Sequence, residues 1–299
     1  PLLNRATGSA YAPGSTFKPC TAVAALEEGA ISPTQKLNTT GIWTYPGTSA
    51  YTKCWVYPGR HGRVNIVDAL TVSCNYFFCE MGYRLGIDAL DQYAAAFGLG
   101  QSTGIELGEK TGVLAGPEHS ASVNQMWYGG NTVQAAIGQS DHLFTPLQLA
   151  SYIATLVRGG DRLDAHLLKT VTAYDGSAIL YEHEPEFLSQ VDISASTLSA
   201  VKEGMYNLTT QGSLARYFKD CIVSAGAKTG TAQISEDTTN NGVFVCFAPY
   251  EDPEIAVAIV IERGGSGSAL ASTAVEILNA YFADSDIGTA LIPEGSLLP

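Results

Sequence analysis

Ser15-Thr16-Phe17-Lys18 puts a hydroxyl and an amine three residues apart, directly after a Pro13-Gly14 turn and at the start of an apolar helical run. A serine oxygen becomes a useful nucleophile when a neighbouring base takes its proton, and a lysine on the same helix face can do so if it is held neutral. The turn-to-helix position also brings backbone N–H groups and a positive helix end to the place where an oxyanion would form. Two further motifs follow in order, Ser73-Cys74-Asn75 and Lys228-Thr229-Gly230. Ser73 falls at an expected helix break, a place where side chains converge on a cleft. Lys228, Thr229 and Thr231 belong to an extended pattern running through Gln233 and Ile234, so a cation and two hydroxyls would project from a strand at a cleft edge. Gly230 removes a side chain where a substrate must approach closely.

Each motif alone is weak, because the chain also holds Lys110-Thr111-Gly112, Ser122-Val123-Asn124 and Ser199-Ala200-Val201-Lys202. Context separates the two sets. Lys110 and Ser122 lie in a polar, Gly-rich connector, and Ser199 lies inside an expected helix whose amides are already engaged. These copies also run in the reverse order. Gly226-Ala227-Lys228-Thr229 is not a phosphate-binding P-loop, because Ala227 separates the glycine from the lysine.

The elements that must position these groups follow from periodicity and punctuation. Ser15 to Glu28 reads as a helix stopped by Gly29. Residues 39 to 63, rich in Gly, Pro, Thr and aromatics, read as a long ordered loop whose aromatics serve packing. Asn65 caps a helical stretch to Leu85 that breaks near Ser73 and ends at Gly86, and Asp88 to Phe97 forms another helix. Thr145-Pro146 opens an amphipathic helix that stops at Gly159-Gly160. Leu167 to Ala173 and Ala178 to Glu182 flank Asp175-Gly176 as a hairpin, and Thr197 to Leu208 is helical. Ala225 to Ile234, Gly242 to Ala248 and Ile255 to Glu262 read as strands, followed by a closing helix from Ala269 to Phe282. The fold class is α+β, an antiparallel sheet flanked by helices beside a largely helical subdomain. One domain over residues 1–283 and a loosely ordered tail over 284–299 are expected.

Composition narrows the function classes. With 45% hydrophobic and 15% charged residues the chain can bury a sizeable core. A formal net charge of -13 leaves no basic stripe for phosphates, so nucleic acid is not an expected partner. The longest aliphatic run, Ile255 to Ile261, is far shorter than the roughly 20 residues that cross a bilayer. The start of the chain lacks a signal-peptide layout, so an export signal or membrane anchor is expected upstream. Six cysteines without a CxxC pair and five dispersed histidines give no zinc-ligand spacing, so small buried thiols and neither metal nor cofactor are expected.

Tyr11 to Pro19, Ile137-Gly138-Gln139 leading to Thr145-Pro146-Leu147-Gln148-Leu149-Ala150, and Ala227 to Gln233 resemble class B penicillin-binding proteins, and the likeness runs from about Asn4 to Phe282. The three ordered motifs are those of penicillin-recognising serine enzymes. The resemblance implies a β-lactamase/transpeptidase-like fold, a membrane-anchored protein at the extracytoplasmic face of the bacterial membrane, peptidoglycan stem peptides and β-lactams as ligands, and a glycosyltransferase partner. It also implies roles: Ser15 as nucleophile, Lys18 as base, Ser73 as proton relay, Asn75 orienting Lys18 and substrate, and Lys228, Thr229 and Thr231 holding a terminal carboxylate. Backbone N–H groups of Ser15 and Thr231 would form the oxyanion hole. Rival readings are a D,D-carboxypeptidase, a penicillin-sensing receptor domain and a β-lactamase, the last disfavoured because no glutamate motif lies between Ser73 and Lys228. The family's sheet includes strands ahead of the nucleophile, and only fourteen residues precede Ser15 here, so those strands, the anchor and the family's N-terminal module are expected outside this chain.

Overall fold

The strand Asn241–Ala248 is buried at every position because both of its faces are apolar and both are covered. Val243, Val245 and Phe247 point into a helical core, and Phe244, Cys246 and Ala248 point into a second cluster under the closing helix Ala271–Ala283. Each of the valines and phenylalanines contributes about 1.5–3 kcal/mol on burial. The computed structural model describes residues 2–232 and 239–283. Gly226–Ala232 and Ile255–Ile261 flank the central strand in an antiparallel sheet, with Lys228 opposite Val245 and Gly230 opposite Val243. Directly opposed residues share a face, so Lys228 and Gly230 are turned toward the helical core side with Val243 and Val245. The Asp284 tail, and the extension of the first of these strands through Gln233 and Ile234, lie outside the described residues.

The helical lobe is built from Lys18–Glu27, Asn75–Ala96, Pro146–Val157 and Ala195–Thr210. Asn65 caps Ile66–Thr71 through a reciprocal pair, accepting from Asp68 N at 2.8 Å while Asp68 Oδ2 accepts from Asn65 N at 3.3 Å. The chain then breaks at Ser73 and restarts at Asn75. Gly86 ends the helix that starts at Asn75, as expected: its φ of 77° and ψ of 173° are non-helical, and a second helix follows it to Ala96. Tyr152 ties two helices together at the core's centre: its hydroxyl accepts from Cys20 N at 2.9 Å, one of the first-turn amides that a helix leaves unpaired. Tyr152→Phe is expected to lower stability by about 1–3 kcal/mol in denaturant unfolding, since that amide stays buried without its acceptor.

Two stretches differ from the sequence expectation. The supposed loop 39–63 contains two short strand pairs, Ile42–Thr44 with Tyr51–Lys53, and Gly62–Val64 with Leu37–Thr39. Three-residue strands carry too little alternation to register as a pattern. The Gly-rich connector likewise holds two short helices, Pro117–Ser122 and Gly129–Ala135, the second packed on the Asn75–Ala96 helix. Beyond the Pro146–Val157 helix, Asp161–Leu163 pairs with Phe187–Gln190, and Thr170–Thr172 with Ile179–Glu182, the latter as the hairpin around Asp175-Gly176.

Candidate active site

Ser15 sits one step earlier than helix periodicity places it. The α-helix starts at Lys18, and Ser15 belongs to a 3₁₀ turn, Gly14–Phe17. Pro19 explains the difference: it has no N–H to give the Ser15 carbonyl in the α pattern, so Lys18 N donates there instead and tightens the turn. In a 3₁₀ turn residues three apart eclipse, which brings Lys18 into line with Ser15. Gly14 N donates to Gly138 O at 2.9 Å, and Phe17 packs between His142 and Phe144 at ring separations of 4.5 and 6.2 Å. Burial holds His142 far down, at about 3, so this packing partner is a neutral ring.

Lys18 is fully buried, and its Nζ donates to Ser73 O at 2.9 Å, Ser73 Oγ at 3.2 Å and Asn75 Oδ1 at 2.6 Å. Loss of water lowers it to about 8. Ser73 reaches this position by adopting φ 52° between two helices, a left-handed backbone that costs a non-glycine residue about 1 kcal/mol or more. From the other side Lys228 Nζ donates to the same Ser73 Oγ at 2.9 Å and to Thr229 O at 3.2 Å. Lys228 is also fully buried, and burial and the nearby Lys18 push its amine well below the ordinary lysine value. Among the described residues neither lysine has a carboxylate partner. Ser73 therefore joins two destabilised ammonium groups through one oxygen, an arrangement that eases proton transfer along the line Lys18, Ser73, Lys228.

The strand bearing Lys228 lies against the nucleophile turn backbone to backbone. A Cβ on Gly230 would stand 2.5 Å from Pro13 O. Gly230→Ala must therefore push strand and turn apart, and acylation by a β-lactam is expected to slow at least about tenfold, with a stability loss of about 1–3 kcal/mol in the same unfolding measurement. Ser15, Ser73, Asn75, Thr229 and Thr231 line one cleft of about 850 Å³. The duplicate motifs are elsewhere: Lys110, Ser122 and Ser199 are exposed and none lines the cleft.

Several cleft residues escaped the sequence reading. Gln139 Nε2 donates to Thr231 O at 3.3 Å and so braces the cleft edge. Trp55, expected to be packing, is 66% exposed at the rim, with its indole N–H held by Val72 O at 3.0 Å. Arg216 also lines the cleft. Their signals were a three-residue resemblance, one aromatic among many, and a lone cation.

The fold also brings together donor groups that linear spacing does not suggest. All six cysteines are free thiols. Cys54, His61 and Cys74 nonetheless come together with their donor atoms within 4.8 Å of one another, a set that suits a soft divalent cation. Cys54 Sγ lies 4.0 Å from Cys74 Sγ and accepts from Asn75 N at 3.2 Å; the Cys74 contact first, then backbone N–H groups, hold its thiol below the ordinary range, and the Asn75 bond fixes that backbone. Residues separated by helix and loop in sequence share this corner only after the chain folds around Ser73.

A three-stranded antiparallel sheet packed between helices, with a turn serine, two buried lysines and a bridging hydroxyl at the sheet's edge, places the molecule in the β-lactamase/transpeptidase-like class of serine proteins. The chain belongs to the penicillin-binding protein transpeptidase domain family, whose model matches residues 1–282. It is 34% identical over 299 residues to the peptidoglycan D,D-transpeptidase MrdA of Escherichia coli, covering 93% of this chain and 46% of that protein. Pseudomonas aeruginosa PBP2 in complex with WCK 5153 superimposes with a TM-score of 0.83 at 29% identity, covering 100% of this chain and 65% of that one. The imipenem acyl-enzyme complex of penicillin-binding protein A from M. tuberculosis gives a TM-score of 0.79 at 28% identity, covering 94% and 62%. The chain thus spans about half the length of the Escherichia coli relative.

Proposed function

We propose that this chain is the acyl-transfer domain of a peptidoglycan D,D-transpeptidase, inactivated by β-lactams. One observation carries the reading: the Ser73 hydroxyl bridges buried Lys18 and Lys228 at 3.2 and 2.9 Å in the cleft that Ser15 lines. Ser15 Oγ attacks the carbonyl of the D-Ala-D-Ala peptide bond and its proton passes to neutral Lys18. Backbone N–H groups of Ser15 and Thr231 hold the oxyanion, each contributing about 3–4 kcal/mol to the transition state. On collapse the C–N bond breaks, the departing D-Ala amine takes the Ser73 proton, and Lys18 restores that proton. An ester on Ser15 remains. The amine of a second stem peptide attacks the ester, Ser73 and Lys18 take its proton, and Lys18 returns it to Ser15 Oγ as the ester C–O bond breaks.

Asn75 holds Lys18 at 2.6 Å and presents its amide to the substrate backbone. Thr229, Thr231 and Lys228, with Gly230 clearing the approach, hold the terminal carboxylate; this local positive site lets a chain of net charge -13 bind an anionic peptide. We further propose that the functional domain spans residues 1–283, with strands and a membrane anchor supplied by other parts of a longer protein at the extracytoplasmic face of the membrane. No helix among the described residues is long and apolar enough to cross a bilayer. Stem peptides are borne on glycan strands, so the reaction that supplies the substrate is glycosyl transfer, and a glycosyltransferase is the partner its chemistry calls for.

The test is to incubate the chain with a stem peptide ending in D-Ala-D-Ala and a second peptide offering an amine, and to read products by mass. A cross-linked dimer with release of one D-Ala supports transpeptidation. A shortened monomer alone assigns the carboxypeptidase reaction, and no D-Ala release from chain that unfolds cooperatively overturns the proposal.

A further inference from the structure

A second constellation sits on the strand-rich lobe that follows the Pro146–Val157 helix. Asp164 directly follows the strand Asp161–Leu163, His166 lies two residues on, and His183 follows the hairpin strand Ile179–Glu182. We propose that Asp164, His166 and His183 form a binding site for a divalent transition-metal cation, zinc by its donor set, with water completing the shell.

The donor atoms converge. One ring nitrogen from each imidazole and an Asp164 oxygen lie within 4.8 Å of one another. Zinc bonds of about 2.0–2.2 Å in a tetrahedron set its ligands roughly 3.3–3.5 Å apart, so small side-chain rotations close the site. His183 Nε2 and Asp164 Oδ2 are already 3.0 Å apart. That contact meets the distance of an ion pair but not the alignment of a hydrogen bond, and His183 Nε2 is left buried without a hydrogen-bond partner. His166 Nδ1 is buried and unpartnered as well. Two orphaned ring nitrogens beside a carboxylate are costly unless something accepts their lone pairs. A shared cation does this for both at once. The rings also stack at 3.8 Å, an arrangement that two imidazolium ions would repel and that two neutral ligands tolerate.

The shell around these ligands is built to hold them. Tyr181 Oη lies 3.2 Å from His183 Nδ1, so that nitrogen can donate to the hydroxyl and leave the Nε2 lone pair facing Asp164. Asp164 Oδ1 accepts from Glu186 N at 2.7 Å, and Asp164 N donates to Glu186 O at 3.0 Å. Ala165 N donates to Thr103 O at 2.8 Å, His183 N donates to Lys169 O at 2.8 Å, and the Glu106 carboxylate accepts from Leu167 N and Leu168 N, its shortest bond 2.9 Å. Every ligand-bearing segment is thus fixed by backbone bonds, the preorganisation that metal sites require. Bound metal would clamp the hairpin to the Asp161–Leu163 strand and stiffen the lobe.

Equilibrium dialysis of the chain against zinc and, separately, cobalt(II) tests the assignment, because cobalt bound by Cys54 or Cys74 shows a thiolate charge-transfer band and cobalt bound by histidine and aspartate does not. The expected result is an equivalent of cobalt without that band, zinc binding at micromolar concentration, and a rise of a few degrees in Tm on adding zinc. The His166→Gln/His183→Gln variant should lose that equivalent and the Tm rise while unfolding cooperatively. Where that double variant does not fold, Asp164→Asn replaces it and should weaken binding at least about tenfold. Equal zinc uptake and equal Tm shift in wild type and the folded variant, or no thiolate-free cobalt in wild type, would overturn the site and leave a stacked, ion-paired histidine pair.

Discussion

After brief exposure to a β-lactam, the wild-type chain gains the mass of one antibiotic molecule and the Ser15→Ala variant gains none. Ring opening needs an oxygen in the cleft that can lose its proton inward, and among cleft hydroxyls only Ser15 lies on the 3₁₀ turn that eclipses it with Lys18. Ser73 cannot replace it, because its oxygen already receives both lysine amines. The variant should fold as the wild type does, since among the described residues the Ser15 hydroxyl holds no hydrogen-bond partner, and its acylation should slow by at least about a thousandfold. Intact-mass measurement decides the matter: an adduct of equal yield on the variant would place the nucleophile elsewhere. Slow loss of the wild-type adduct is expected as well, because among the described residues no carboxylate lines the cleft to activate a deacylating water, and rapid loss would favour a β-lactamase.

The second large effect is at Lys18. Lys18→Met keeps the volume of the stem but removes the base and the donor to Ser73 and Asn75, and acylation should fall by about 10²–10⁴. The wild-type pH profile carries the same claim in another form. Burial lowers Lys18 to about 8, so the amine is mostly protonated below that pH and mostly neutral above it. The acylation rate should therefore climb about tenfold per pH unit below 8 and level off above it. In Lys18→Met the slope should disappear with the rate. Retention of the same slope would show that a different group titrates and would remove Lys18 from the role of base.

The sequence alone determined the order and type of the chemistry-bearing motifs, most elements that carry them, and the antiparallel character of the last third. It did so where local rules are strong: Pro13-Gly14 ahead of an apolar helical run, the Asn65 cap, Thr145-Pro146, the Asp175-Gly176 hairpin, and three runs whose residues suit strands buried on both faces. Tertiary structure alone decided how those motifs meet. Ser73 takes a left-handed backbone so that its carbonyl and hydroxyl both reach Lys18, and nothing in the local sequence asks for that conformation. Lys228 is brought to the same hydroxyl by register with Val245 across the sheet. Trp55 joined the cleft from a segment with no motif of its own, Gln139 from one whose resemblance assigned it no role, and two histidine-bearing donor clusters formed from residues whose linear spacing predicts none. The physical reason is the same in each case: local propensity acts over a few residues, whereas burial of the lysines, the lowered basicity that follows, and the convergence of donors depend on surfaces that exist only once the helical lobe closes on the sheet.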